Sequence, residues 1–209
     1  MTILALEFSS ERRSAALARD AVVLAEAVEQ TGGRGTNALG LIGQVLAAAK
    51  KSRAEIEAIA VGLGPGSYTG IRAAIAVAQG WQLAREVKLL GVSSAEALAV
   101  QAQAGKIFGR VNVVIDAQRN EFYLAAWEIS ERSRVAVTPL RLVTAAEMET
   151  RRADGETLVG PEQAAALFPS AAMVARLAAG RTDFTTGEGL EPIYLRETNF
   201  VKASLARSV

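Results

Sequence analysis

A pattern of three strands, in which the first strand ends in an acid, occurs twice along the chain. One apolar run ends near Glu7, and residues 13–29 then predict two further strands joined by a tight turn. A second apolar run, VNVVIDA, ends near Asp116, and residues 121–143 again predict two strands. Each unit continues into alternating helices and strands. The chain therefore predicts two copies of one α/β unit.

A three-stranded meander followed by βα units forms a mixed sheet with helices on its faces. Two such units in tandem describe the two-lobed α/β architecture of actin, Hsp70 and hexokinase. In that architecture the acid after each first strand faces a central cleft, where it handles Mg²⁺–phosphate or water. We therefore expect a first lobe over residues 1–104 and a degenerate second lobe over residues 105–209, whose tail can pack back on the first lobe.

The composition excludes many kinds of chemistry, because the 209 residues include no cysteine and no histidine. Thiol nucleophiles, Ser-His-Asp triads and metals held by Cys or His are all removed, which leaves Mg²⁺ or Ca²⁺ held by carboxylates. The net charge of +1 argues against a dedicated nucleic-acid binder. With neither a membrane-length apolar run nor a basic leader, the chain is expected to be cytoplasmic.

The segment GPGSYTG, residues 64–70, is the most distinctive local feature. It leaves a predicted strand and opens a helix, whose free N–H groups attract anions, although no lysine stands where a P-loop has one. The alternative is a turn whose glycines permit close packing, and the sequence leaves both open. For the two acids, the simpler interpretation is a turn stabilised by local hydrogen bonds. The candidate vestigial phosphate site consists of Glu7, Ser9, Ser10, Gly64, Gly66, Ser67 and Asp116.

Two predicted helices, over residues 36–50 and 70–86, carry apolar residues around most of their circumference. A helix that covers a sheet needs one apolar face of roughly 100°. The surplus predicts a protein partner, and the alternative is that the second unit of the chain buries both helices. The predicted interface residues are Ala38, Leu39, Ile42, Gly43, Leu46, Ile71, Ala74, Ile75 and Ala78.

Several segments closely resemble the bacterial TsaB (YeaZ) family. These segments are ILALEFSS, AIAVGLGPGSYTGIRAAIAVAQGWQLA, GVSSAEALA, VVIDAQRNEFYLAAW and the late IYLR. The resemblance covers nearly the whole chain and is strongest from residue 59 to residue 99. GPGSYTG with its following helix and GVSS form a signature far more specific than a lone glycine motif.

The resemblance implies a two-lobed actin-like fold and a role in making N6-threonylcarbamoyladenosine at position 37 of tRNAs that read codons beginning with A. It implies a non-catalytic relative of TsaD, the subunit that holds a metal through histidines and transfers threonylcarbamoyl to the tRNA. The first-lobe helices are then expected to bind TsaD, with the ATPase TsaE joining the pair, and to form a homodimer when TsaD is absent. No cofactor is expected in this chain, and ATP and metal are expected on the partner subunits.

The sequence also departs from the family. Glu7-Phe8-Ser9 stands where Asp-Thr-Ser is usual, and Arg34-Gly35-Thr36-Asn37 stands where the first helix usually follows a Gly-His-Ser-like segment. The first departure weakens the case for a phosphate site, and neither affects the partner helices. Two alternatives remain: a free-standing phosphotransferase or ATPase that uses Glu7, Asp116 and the 64–70 loop, and a peptidase, for which no suitable spacing is present.

Overall fold

The first of two five-stranded sheets comes from the N-terminal half of the chain. The structure, a computed structural model, describes residues 1–30 and 37–195. The strand order is β3-β2-β1-β4-β5, in which β2 is antiparallel to β1 and β3, and β4 and β5 run parallel to β1. The strands are β1 (Thr2–Glu7), β2 (Arg12–Arg19), β3 (Val22–Gln30), β4 (Ala58–Gly62) and β5 (Lys88–Val92).

The second sheet repeats this arrangement, with the order β8-β7-β6-β9-β10 and the same pattern of antiparallel and parallel pairs. Glu7 ends β1 and Asp116 ends β6, so the two acids occupy equivalent positions. The predicted duplicated actin-like fold is confirmed. The strands are β6 (Gly109–Asp116), β7 (Glu121–Ile129), β8 (Arg134–Thr144), β9 (Thr157–Gly160) and β10 (Ala165–Ala166).

Five α-helices in the described ranges each begin after a polar residue whose side chain accepts an N–H of the first turn. Pro161, directly after β9, is a residue that often begins a helix, and the sequence predicts one there. The structure shows this prediction to be wrong. The N–H groups of Gln163 and Leu167 both donate to the Gly160 carbonyl, which closes a turn in its place. The helices are α1 (Ala38–Ala48), α2 (Tyr68–Arg85), α3 (Ser94–Ala104), α4 (Ala145–Ala153) and α5 (Ala171–Ala178).

Two sequence features lie outside the described residues. They are the glycine-rich segment before α1, residues 31–36, and the tail from residue 196 onward, which includes the last residue of IYLR. Within residues 1–30 and 37–195, no helix combines the length and the apolar character that a membrane crossing requires.

The core has layers on both faces of each sheet. α1 and α2 cover one face of the first sheet, and α5, which comes from the second half of the chain, covers the other. α3 packs on one face of the second sheet and α4 on the opposite face. The division into lobes at residue 104 remains our proposal. One helix crosses this division, because α5 follows the second sheet in sequence but completes the core of the first.

Candidate functional site

A cavity of about 630 Å³ lies between the two sheets, beside the ends of β1 and β6. Three parts of the candidate phosphate site reach its lining. These are Ser9 and Ser10 from the β1–β2 turn, Gly66 and Ser67 from the loop before α2, and Asp116 from the end of β6. Tyr68, Tyr123 and Tyr194 add aromatic surface to the same lining. We call this cavity the interlobe cleft.

Asp116 lies in the cleft lining and stabilises its own turn. Its Oδ1 accepts the backbone N–H of Gln118 at 2.7 Å, and its Oδ2 accepts the side-chain amide of the same residue. Gln118 and the two residues after it all have positive φ, between 60° and 64°. The acid therefore shapes a left-handed turn at the edge of the cleft.

Glu7 occupies the equivalent position in the first sheet. The prediction that its side chain faces the cleft is wrong. Its side chain is fully buried, with Oε1 accepting the Ser9 N–H at 2.7 Å and Oε2 accepting the Ser94 hydroxyl at 2.7 Å. Gly62 makes the room, because a Cβ there would lie 2.0 Å from the Glu7 carboxylate. Burial raises the pKa of Glu7, and hydrogen bonds from Ser9 and Ser94 oppose that rise.

The glycines of the 64–70 loop allow it to pack closely on the β1–β2 turn. A Cβ on Gly66 would lie 2.2 Å from the Ser9 carbonyl oxygen, and a Cβ on Gly70 would lie 2.0 Å from that of Phe8. Ser67 N–H donates to the Ser9 carbonyl at 2.6 Å. Of the two interpretations that the sequence leaves open, close packing accounts for these glycines.

The charges of the cleft decide what the described residues can hold. Among its described lining residues, Glu11, Asp116 and Glu162 are acidic, and Arg119 is the one cation. Over residues 1–30 and 37–195, no three carboxylates come together in a way that could hold a metal. With Glu7 directed into the core as well, the described lining does not fit the Mg²⁺–nucleotide that an actin-like fold implies.

Most of the predicted interface residues lie in the core of the chain. Four on α2 and two on α1 pack into the core cluster of the first sheet, so these two helices have less spare apolar surface than the sequence indicates. Their side chains are 0–7% exposed, and they are Ile42, Leu46, Ile71, Ala74, Ile75 and Ala78. Ala38 is half-buried, whereas Leu39 is 64% exposed and Gly43 borders open space.

The exposed side of α1 and α2 nevertheless carries a set of small and apolar residues, beside the polar Gln44 and Arg72. Leu83 is 89% exposed, and a Cβ on Gly80 would meet nothing within 4 Å. We call this surface the outer face, and it consists of Leu39, Gly43, Ala47, Ala76, Gly80 and Leu83. A spacing of three or four residues marks this outward stripe in the sequence, whereas most of the predicted interface residues lie on the core-facing stripe of the same helices.

A segment near the C-terminus fixes the position of α2 from the side. The side-chain amide of Gln79 donates to the Gly187 carbonyl at 2.7 Å, and Gln82 Oε1 accepts the Gly187 N–H at 2.8 Å. We call residues 185–195 the return segment. It pairs with β5 through Thr185 and donates from Ile193 N–H to the Leu63 carbonyl. No local sequence signal predicts that Gln79 and Gln82 hold this distant segment, since Gly187 lies more than 100 residues away in the chain.

Comparisons with known proteins agree with this fold. TsaB of Escherichia coli K12 is 34% identical over 131 residues, which cover 63% of this chain and 57% of the relative. TsaB of Haemophilus influenzae is 29% identical over 166 residues, 78% of this chain and 66% of the relative. The matched region thus spans less than two thirds of either relative's length.

Solved structures extend the likeness to nearly the whole chain. The crystal structure of a Pseudomonas aeruginosa protein, described as similar to the peptidase YeaZ, superposes with a TM-score of 0.78 at 26% identity. It covers 93% of this chain and 99% of that one. A second structure, YeaZ from Pseudomonas aeruginosa, gives a TM-score of 0.76 with the same coverage.

The fold and the cleft define a duplicated, two-lobed protein of the actin-like class. The family described as TsaD, tRNA N6-adenosine threonylcarbamoyltransferase, matches residues 35–184, more than half of the chain. The chain belongs to this family, and its named relatives place it with the TsaB (YeaZ) proteins of tRNA threonylcarbamoyladenosine biosynthesis.

Proposed function

We propose that this chain is a non-catalytic partner subunit in the synthesis of N6-threonylcarbamoyladenosine at position 37 of tRNAs that read codons beginning with A. It binds and supports the catalytic subunit TsaD, and the ATPase TsaE joins them. The observation that carries the proposal is the combination of TsaB relatives with a YeaZ-like structure over 93% of the chain. In this proposal the partner subunits bind ATP and metal, and tRNA is the substrate of the complex. The modification reaction takes place in the cytoplasm.

The outer face is the surface on which TsaD would bind. Small residues on adjacent helices let a second pair of helices approach closely, and the two exposed leucines supply apolar area at the margins. Gly43 and Gly80 both border open space, so their positions have room for a partner's side chains. The face thus fits a four-helix contact with the matching helices of another actin-like chain.

Without TsaD, the same face would pair two copies of this chain. Apolar area is worth about 25 cal/mol per Å², but the costs of association and ordering take up much of that gain. A specific and exchangeable homodimer is expected. Sedimentation at increasing TsaD concentration would show the homodimer replaced by a heterodimer, and coexistence of both contacts on one chain would contradict the shared face.

Co-purification with TsaD tests the proposal. Gly80→Arg and Ala76→Arg place a long cation on the outer face, whereas Ala146→Arg places one on the exposed side of α4 as a matched control. The first two variants should lose TsaD while the control keeps it, and circular dichroism should show all three folded. Normal binding by both outer-face variants would place the contact elsewhere.

A second measurement tests the role in modification. Depletion of the chain should lower the threonylcarbamoyladenosine content of tRNA, and nucleoside analysis by mass spectrometry would show it. Threonylcarbamoyl transfer by the isolated chain would contradict a non-catalytic subunit, and unchanged modification after depletion would contradict the whole proposal.

A further inference from the structure

A buried carboxyl group connects three segments that are distant in sequence. Glu7, at the end of β1, accepts the N–H of Ser9 in the following turn and the hydroxyl of Ser94 at the start of α3. The Ser94 oxygen in turn accepts the N–H of Gly64 at 3.0 Å. The Glu7 carboxylate and the Ser94 hydroxyl thus join the β1–β2 turn, the loop before α2 and the first turn of α3.

This network ends where α2 begins. Ser94 N–H donates to the Gly64 carbonyl at 2.8 Å, so both polar backbone groups of Gly64 are bound by one residue of α3. Ser67 N–H donates to Ser9 in the same turn that Glu7 holds, and Ser67 is the N-cap residue of α2. The first turn of α2 is therefore located by bonds that converge on Glu7 and Ser94.

The second sheet shows what the equivalent acid does without such a network. Asp116 makes the same bond to the backbone N–H two residues ahead, at the same 2.7 Å, but its carboxylate lies in the cleft lining. Glu7 makes that bond and turns its second oxygen away from the cleft, toward Ser94. The two acids have one position in the fold and two different roles.

We propose that Glu7 is a positioning residue, which through Ser94 and Gly64 sets the first turn of α2 and thus the outer face, with no ligand required in the cleft. Replacing the carboxylate by an amide, as in Glu7→Gln, leaves one acceptor oxygen for two buried donors, the Ser9 N–H and the Ser94 hydroxyl, and sets an N–H donor where the second oxygen was. The loop before α2 is then no longer held in one conformation, and the position of the first turn of α2 is no longer fixed. The part of this inference that concerns TsaD rests on the proposed function.

Amide hydrogen exchange on the isolated chain is the direct test. Glu7→Gln and Ser94→Ala should raise exchange in residues 64–71 by roughly tenfold or more, the effect of losing about 1.4 kcal/mol of local stability. Glu57→Gln is the matched control, because Glu57 also accepts a backbone N–H, that of Thr2, but is exposed and part of no such network. The control should leave residues 64–71 at the wild-type rate.

A double variant separates positioning from general loss of stability. If Glu7 acts through Ser94, the effects of Glu7→Gln and Ser94→Ala on residues 64–71 should be smaller together than their sum. If Glu7→Gln does not fold, Ser94→Ala decides alone, since it keeps the carboxylate and removes only the hydroxyl that joins Glu7 to the Gly64 N–H. Wild-type exchange at residues 64–71 in folded Ser94→Ala would overturn the inference, as would additive effects of the two substitutions.

Binding to TsaD gives the second readout. Glu7→Gln should weaken binding about tenfold at a temperature where the variant is still folded, and Glu57→Gln should not. Unaltered affinity in a folded Glu7→Gln chain would overturn the link to the outer face. If the wild-type chain itself fails to bind TsaD, the proposed function fails, while the exchange experiment still decides whether Glu7 sets the start of α2.

Discussion

The Glu7 carboxyl group combines full burial with hydrogen bonds that it only accepts. Burial disfavours its charged form and raises its pKa, while the donors of Ser9 and Ser94 favour the charged form and oppose that rise. The half-buried Glu147 behaves in the opposite way. Hydrogen bonds from Arg141 and Arg151 hold the pKa of Glu147 at about 2. The two kinds of acid therefore contribute to stability in different ranges of pH.

The pH dependence of unfolding should show the raised pKa of Glu7. Below its ordinary value of 4.5 the group is protonated in both states, and above it the folded protein keeps a proton that the unfolded chain has lost. The contribution of Glu7 to the free energy of unfolding therefore falls as pH rises through the folded pKa. Denaturant unfolding of wild type and Glu7→Gln should be measured from pH 4 to 8. As the pH rises, the free energy of unfolding of the variant should increase relative to that of the wild type. A difference that is constant with pH would contradict the raised pKa.

Gly70 and Gly80 are both in α2, yet they should respond oppositely to a methyl group. In Gly70→Ala the Cβ meets the Phe8 carbonyl oxygen, and we expect a loss of roughly 1–3 kcal/mol from overpacking. In Gly80→Ala the Cβ enters open space, and the gain in helix propensity should stabilise by roughly 0.5–1 kcal/mol. Thermal unfolding measures both, and equal effects would show that the loop does not pack on the turn as described.

At the scale of elements, α1 and α2 each have one side in the core and another made of small exposed residues. Counting apolar residues around a helix cannot separate these sides, because a sheet and a neighbouring helix together bury more than a single 100° stripe. Ala74 illustrates the difference, since it is fully buried and a large substituent there tests the core rather than the interface. Gly43 and Ala76 point outward and test the interface itself.

The return segment should be released when its two contacts on α2 are removed. Gln79→Ala with Gln82→Ala deletes both hydrogen bonds to Gly187, at a cost of roughly 1–3 kcal/mol in unfolding free energy. Hydrogen exchange should rise in residues 185–190 while α2 stays protected. Gln101→Ala is a suitable control, because the Gln101 side-chain oxygen is buried with no partner in the described ranges. A uniform rise throughout α2 would show that the two glutamines stabilise the helix instead.

At the scale of the whole molecule, the repeated strand pattern was sufficient to predict the duplicated fold. The apolar run of each first strand and the acid that ends it are local signals, and the structure places both acids at the ends of those strands. The direction of the Glu7 side chain was not predictable, because it depends on Gly62 and on Ser94, which lies 87 residues away. The pattern that predicts a strand contains no information about such a distant partner.

The placement of α5 was equally beyond local signals. Its alanines lie against alanines of β1, β2 and β4, and its Ala171 N–H donates to Ser14 on β2 at 2.8 Å. A fragment of residues 1–104 should therefore expose an apolar sheet face and bind a hydrophobic dye instead of unfolding cooperatively. Addition of a peptide of residues 165–195 should restore a cooperative transition. A fragment that unfolds cooperatively by itself would show that α5 is dispensable to the first sheet.

During synthesis of the chain, α5 can cover the first sheet only some time after the strands of that sheet have been made. The strands of the first sheet are complete once β5 has been made, but α5 begins 79 residues after β5 ends. At about 5–20 residues per second, the ribosome needs roughly 4–16 s to supply that helix. During this interval the nascent first sheet has an uncovered apolar face, so a newly made chain depends on rapid completion or on a chaperone to avoid aggregation.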